Sequence, residues 1–158
     1  MKKLVRLFFF ATILVLFSCN TQKYVEGNYS FETECMGVKM DGSQTLKVWG
    51  AGRNKSEAIE QAKINAVRDV LFKGIRNGKT DCNLKPIIIG VRVKENNETY
   101  FNSFFADNGL YKDYVTGDDS KSNFKERKKS DDYKTYSIIV NVQRAKLRKK
   151  MITDNIIK

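Results

Sequence analysis

The chain has 158 residues, with 29 Lys plus Arg against 18 Asp plus Glu, and carries a formal charge of +11 at neutral pH. That length accommodates one modest domain, and 41% hydrophobic residues are enough to build a core. With no histidine in the sequence, imidazole acid/base chemistry, Cys-His and Ser-His nucleophiles and imidazole-dependent zinc sites are all excluded.

Met1-Lys2-Lys3 and Arg6 precede an apolar run from Leu7 to Phe17 that only Thr12 interrupts, followed by Ser18-Cys19-Asn20. A charged start and an apolar stretch of this length have the form of a secretory signal, too short for a comfortable membrane span. Its end, Leu16-Phe17-Ser18-Cys19, resembles the lipobox of bacterial lipoproteins. The resemblance implies diacylglyceryl transfer to the Cys19 sulfur, cleavage before it and acylation of the new amine; an ordinary secreted protein or an uncleaved anchor is the alternative. The expected division is residues 1–18 as signal peptide, 19–28 as lipid anchor and tether, and 29–158 as a single domain. Asn20, followed by Thr21, Gln22 and Lys23 with no acidic run, implies by resemblance to lipoprotein sorting rules the periplasmic face of the outer membrane. Without Lys2, Lys3 and Arg6 the chain still has 26 basic against 18 acidic side chains. That balance favours lipid headgroups, envelope polysaccharide or an acidic protein face. Export leaves nucleic acid out of reach.

Tyr29 to Val38 sets Tyr29, Phe31, Thr33 and Cys35 at alternate positions, the period of a strand. Asp41-Gly42 reads as a hairpin turn into a second strand, Gln44 to Trp49, with Leu46 and Val48 on one face. Asn54 with Glu57 three residues on has the pattern of a helix start, and Gly74 that of a stop. Between them Ala58, Ile59, Ala62, Ala66 and Val70 share an arc of about 120°, predicting a helix to about Phe72 that lies close on a sheet. Gly50-Ala51-Gly52 invites a phosphate-binding reading, but it lacks the third glycine of a dinucleotide fingerprint and the Gly-Lys-Ser/Thr of a P-loop. Glycines easing a strand-to-helix turn are the expectation.

Ile87 to Lys94 alternates apolar and other residues, predicting a strand. Asn97 to Ala106 predicts a short helix with Tyr100, Phe101, Phe104 and Phe105 on one side, as core. Residues 107–132 read as a charged loop with Tyr111 to Val115 as a short edge strand. Tyr133 to Gln143 predicts the last strand, and Arg144 to Lys158 a helix anchored by Leu147 and Met151. One-sided strands and helices together predict an α+β two-layer sandwich, its mostly antiparallel sheet covered by helices on one face.

The run Thr45-Leu46-Lys47-Val48-Trp49-Gly50-Ala51-Gly52 leading to Glu57-Ala58, Ala62 and Ala66, with Val140-Asn141-Val142 and Leu147, resembles small envelope lipoproteins related to the N-terminal domain of FlgT-type flagellar assembly proteins. The resemblance implies a noncatalytic scaffolding or binding module and carries over no catalytic residue. No carboxylate sits in a catalytic motif, and the Asp118-Asp119 and Asp131-Asp132 pairs lack the alternating ligands and closing glutamate of a calcium loop. Neither a metal nor a cofactor is expected beyond the lipid on Cys19. Once that cysteine is acylated, Cys35 and Cys82 form one pair in an oxidising compartment; a disulfide is expected, and two separately buried thiols are the alternative.

The expected function is that of an outer-membrane-anchored, noncatalytic binding or assembly accessory with an envelope protein as partner. The alternative is a module that binds an anionic envelope polymer or lipid through its C-terminal helix. There Arg144, Lys146, Arg148, Lys149, Lys150 and Lys158 are set against Asp154 alone. Arg148, Lys149 and Lys150 are the candidate partner-binding residues, although cations also complement a helix C-terminus.

Overall fold

The computed structural model describes residues 32–82, 85–117, 123–125 and 134–158. The expected signal peptide, Cys19, the tether and both aspartate pairs lie outside the described residues. The fold is α+β. Strands β1 (Glu34–Val38) and β2 (Gln44–Gly52) form the expected hairpin. Its turn is closed by Asp41, whose Oδ1 accepts from the Ser43 N–H at 2.9 Å and the Ser43 hydroxyl at 2.6 Å, and by Gly42 at φ 75°. β2 pairs antiparallel with β6 (Lys134–Val142) along its whole length, from Gln44 opposite Val142 to Gly52 opposite Lys134.

Helix α1 (Lys55–Arg68) starts as the sequence indicates. Asn54 Oδ1 accepts from the Glu57 N–H at 2.9 Å, satisfying one orphan amide of the first turn, and Glu57 Oε2 accepts from the Arg53 N–H just ahead of the cap at 3.0 Å. A π-helical turn, Asp69–Lys73, closes the helix, and Gly74 at φ 76° donates to the Asp69 carbonyl at 2.7 Å. Ala58, Ala62, Ala66 and Val70 are fully buried, together with Leu46 and Val48 of β2 and Ile138 and Val140 of β6. Gly50 and Gly52 are what allow this contact. A Cβ on Gly50 would stand 2.1 Å from the Ala58 carbonyl oxygen and 2.4 Å from the Ala62 nitrogen; one on Gly52 would stand 2.5 Å from the Ala58 nitrogen. The glycines therefore serve the close approach of the helix to the strand.

After α1 the chain adds β3 (Asn77–Gly78), which pairs parallel with β1 at the edge of the sheet. The sheet order is β3-β1-β2-β6-β4, with β4 (Val115–Gly117) and β5 (Asn123–Lys125) both antiparallel to β6 on the same side. Cys35 of β1 is bonded to Cys82, their Cα atoms 6.3 Å apart. Both cysteines are buried.

The strand expected over Ile87–Lys94 is not formed. Ile87 and Ile88 are both buried and donate their N–H groups to the Val70 and Leu71 carbonyls at 3.0 and 2.9 Å. Those carbonyls belong to a helix end, where acceptors lack intrahelical partners, so the segment caps α1 instead of extending the sheet. The next residues turn outward, and Val93–Asn96 form a single helical turn, α2. Helix α3 (Glu98–Phe104) buries Phe101 and Phe104 and leaves Tyr100 and Phe105 partly covered. Phe101 meets Phe72 edge-on at 4.9 Å between ring centroids, which ties α3 to the end of α1. The short edge strand expected over Tyr111–Val115 is displaced: Leu110–Tyr114 is a 3-10 turn that buries Tyr111, and the strand begins only at Val115.

Helix α4 (Arg144–Thr153) buries Leu147 and Met151 as expected but stops short of the chain end. Asn155 takes the left-handed conformation at φ 57°, and the Ile156 N–H turns back to the Met151 carbonyl at 2.9 Å. Ile156 thereby returns to the core.

Two measurements test this packing. Gly50→Ala forces a methyl into backbone atoms of α1 and is expected to lose about 1–3 kcal/mol or more of stability in urea denaturation, an overpacking cost. Unaltered stability would mean the helix does not lie on Gly50. Replacing Cys35 and Cys82 together by alanine opens a loop of 47 residues and is expected to cost about 4 kcal/mol in the chain-entropy account.

Candidate binding surface

The three candidate cations of α4 do not form a unit. Lys150 turns inward, its Nζ 3.0 Å from Asp154 Oδ1, the i, i+4 arrangement that steadies a helix. Asp154 Oδ2 also accepts from the Tyr100 hydroxyl at 2.6 Å, so carboxylate and lysine together dock α4 on α3. The Tyr100 hydrogen bond, then that of Lys150, holds the Asp154 carboxyl below its ordinary value of 3.8, although partial burial opposes them. Burial, followed by the same carboxylate, pushes the Tyr100 phenol upward. Lys150 is accordingly a structural cation. Arg148 and Lys149 are exposed on the outer side of the helix.

Arg148 borders an open groove of about 440 Å³ between α4 and the segment that follows Pro86, lined by Ile87, Ile89, Val93, Ile156 and Lys158 among others. Ile89, on the groove, is 74% exposed and Val91, two residues on, 93% exposed, an exposure that the expected strand would have hidden. The sequence reading missed this surface because it assigned those side chains to a sheet face.

A second concave feature lies where the described chain begins. Glu32, Thr33, Asp69, Lys73, Gly74 and Arg76 surround a cavity of only about 20 Å³. Burial raises the Asp69 carboxyl above its usual range against the opposing Thr33 hydrogen bond and Lys73 charge, with Glu32 adding to the rise. A raised carboxyl in a cleft is a feature of acid catalysts, but this space admits about one water. Its Oδ2 accepts from the Thr33 hydroxyl, a contact that fastens the entry to β1 onto the end of α1. Tyr111 is handled alike, its buried hydroxyl donating to Glu60 Oε1, which Lys112 also approaches at 3.2 Å. Among the described residues no group of three Cys, Asp or Glu side chains is placed to hold a metal ion.

Compared with protein families, with curated proteins and with solved structures, the chain returns no match.

The Asp69 environment has a measurable sign. Because the folded carboxyl titrates above 3.8, its contribution to stability is fully present below that pH and is lost as pH rises through the folded value. Asp69→Asn removes this dependence. Relative to the parent protein, the variant is expected to gain stability as pH rises above 3.8 in parallel denaturation curves. Parallel pH profiles for the two proteins would show that the carboxyl is not raised.

Proposed function

We propose that the chain is a lipid-anchored envelope protein, held at the periplasmic face of the outer membrane, that serves as a noncatalytic binding or assembly accessory to an envelope protein. The observation that carries this reading is the pairing of Cys35 with Cys82 inside the core. Disulfides persist in exported proteins, and this one leaves Cys19, at the end of a secretory-type segment, as the one cysteine thiol remaining for a lipid. The strand, Gly-Ala-Gly and alanine-rich helix on which the FlgT-type resemblance rests pack as one unit, consistent with a scaffolding module. No helix among the described residues is long and apolar enough to cross a membrane.

A second reading is favoured by the exposed Arg148 and Lys149 beside the groove: the basic helix contacts an anionic envelope polymer or lipid. The two readings are compatible, because a docking contact on α4 leaves the opposite face of the sheet, where Thr45 and Lys47 project, for a protein.

Mass spectrometry of the protein purified from membranes is expected to show an acylated N-terminal Cys19, with Cys19→Ala released to the soluble fraction. An unmodified N-terminus at another residue overturns the anchor. Crosslinking in intact envelopes is expected to recover one protein partner in defined stoichiometry; its absence removes the accessory role.

A further inference from the structure

The geometry points to a bilayer contact on this domain: the loop 89–92 and the outer side of α4 dock on anionic lipid headgroups, with Ile89 and Val91 entering the headgroup layer. This deepens the second reading above by naming the anionic partner.

Ile89 and Val91 are not loose side chains. The residues before them are pinned to the end of α1 through the Ile87 and Ile88 amides, and the Val93 N–H closes the turn onto Gly90. The fold thus holds two aliphatic groups outward on a short fixed loop, against the hydrophobic cost of leaving them in water. Around them the charge is positive. Arg92 and Lys94 are exposed on the same segment, Arg148 and Lys158 border the groove that Ile89 also borders, and Lys149 lies next to Arg148 on the helix surface. The single acid of α4's end, Asp154, is engaged by Lys150 and Tyr100 and so does little to offset them; the exposed Glu95 and Glu98 lie farther along, on α2 and α3.

A protein partner is ordinarily met through aromatic anchors seated in pockets. Here the apolar element protrudes, is aliphatic, and is ringed by long cationic side chains. That combination suits a soft anionic surface, where apolar groups enter the boundary of the acyl region and cations stay with the headgroups. The place where the chain enters the domain agrees. Thr33 is hydrogen bonded to Asp69, one residue before Val70, whose carbonyl receives the Ile87 amide. Twelve residues separate Cys19 from Glu32, a reach of at most about 40 Å, and Thr33 is fastened to the same helical turn whose carbonyls receive the segment ahead of the loop.

The test uses the chain from Asn20 to Lys158, which retains the whole core from Cys35 to Ile156 and its disulfide but has no acylated cysteine. In co-sedimentation, it is expected to bind vesicles containing phosphatidylglycerol and not vesicles of phosphatidylcholine alone. Arg148→Gln and Lys149→Gln are each expected to lower the partition coefficient about fivefold, the worth of one cation near a charged surface. Ile89→Ser with Val91→Ser is expected to abolish the binding that survives high salt, while the exposed positions leave thermal unfolding unchanged. Equal binding to both vesicle types, or serine variants that bind like the parent, overturns the proposal. Equal retention on soluble polyglutamate, indifferent to the serine changes, also overturns it and assigns the face to an acidic polymer. Because Cys19 is absent from this chain, a failure here is separate from a failure of acylation.

Discussion

Gly50 and Gly52 let the backbone of α1 rest on the backbone of β2, and that distance sets the level of the helix over the sheet. With side chains at those positions the helix would ride higher and Ala58, Ala62 and Ala66 would be too short to fill the gap. The alanines and glycines are complementary halves of one contact. Because α1 sits so low, its last turn reaches the level at which the Val70 and Leu71 carbonyls receive Ile87 and Ile88, and Phe72 meets the aromatic side of α3. The loop that projects Ile89 and Val91 is thus placed by a contact at the other end of the helix.

The polar groups inside the domain serve attachment between layers. Thr33 with Asp69, Tyr111 with Glu60 and Tyr100 with Asp154 each join two elements distant in sequence, and each sets a hydroxyl donor against a carboxylate. Charge-assisted bonds of this kind are roughly twice as strong as neutral ones and demand a defined geometry. They give angular definition to a small core whose packing is otherwise aliphatic and aromatic.

The parts of the fold legible in the sequence are those governed by neighbours along the chain. Asp41-Gly42, the Asn54 and Glu57 pair and the alanine arc each act within a few residues, and each stands where its pattern indicates. Ile87–Lys94 was not legible, because alternation records only that apolar residues recur. Whether they extend a sheet or cap a helix depends on which carbonyls stand free nearby, and those lie on Val70 and Leu71. The role of Gly50 was half legible: the glycines marked a constraint, but its source was a helix packed against the strand and not the turn between them. For the candidate surface, the four-residue spacing of Lys150 and Asp154 already carried the signal that separates Lys150 from Arg148 and Lys149, and so did Asn155 for the end of α4. The exposure of Ile89 and Val91 had no local signal at all.

The disulfide has a mechanical consequence. Tension applied to the chain ahead of Glu34 would otherwise peel β1 away from β2 one pair at a time, since Glu34 and Cys35 are the first residues of the ladder. The bond from Cys35 to Cys82 meets that load at the second residue of the strand and diverts it into the segment after β3, which is itself laid along β1. Unzipping is converted to shear across several elements. A domain suspended from its leading end can in this way bear a pull without surrendering its first strand.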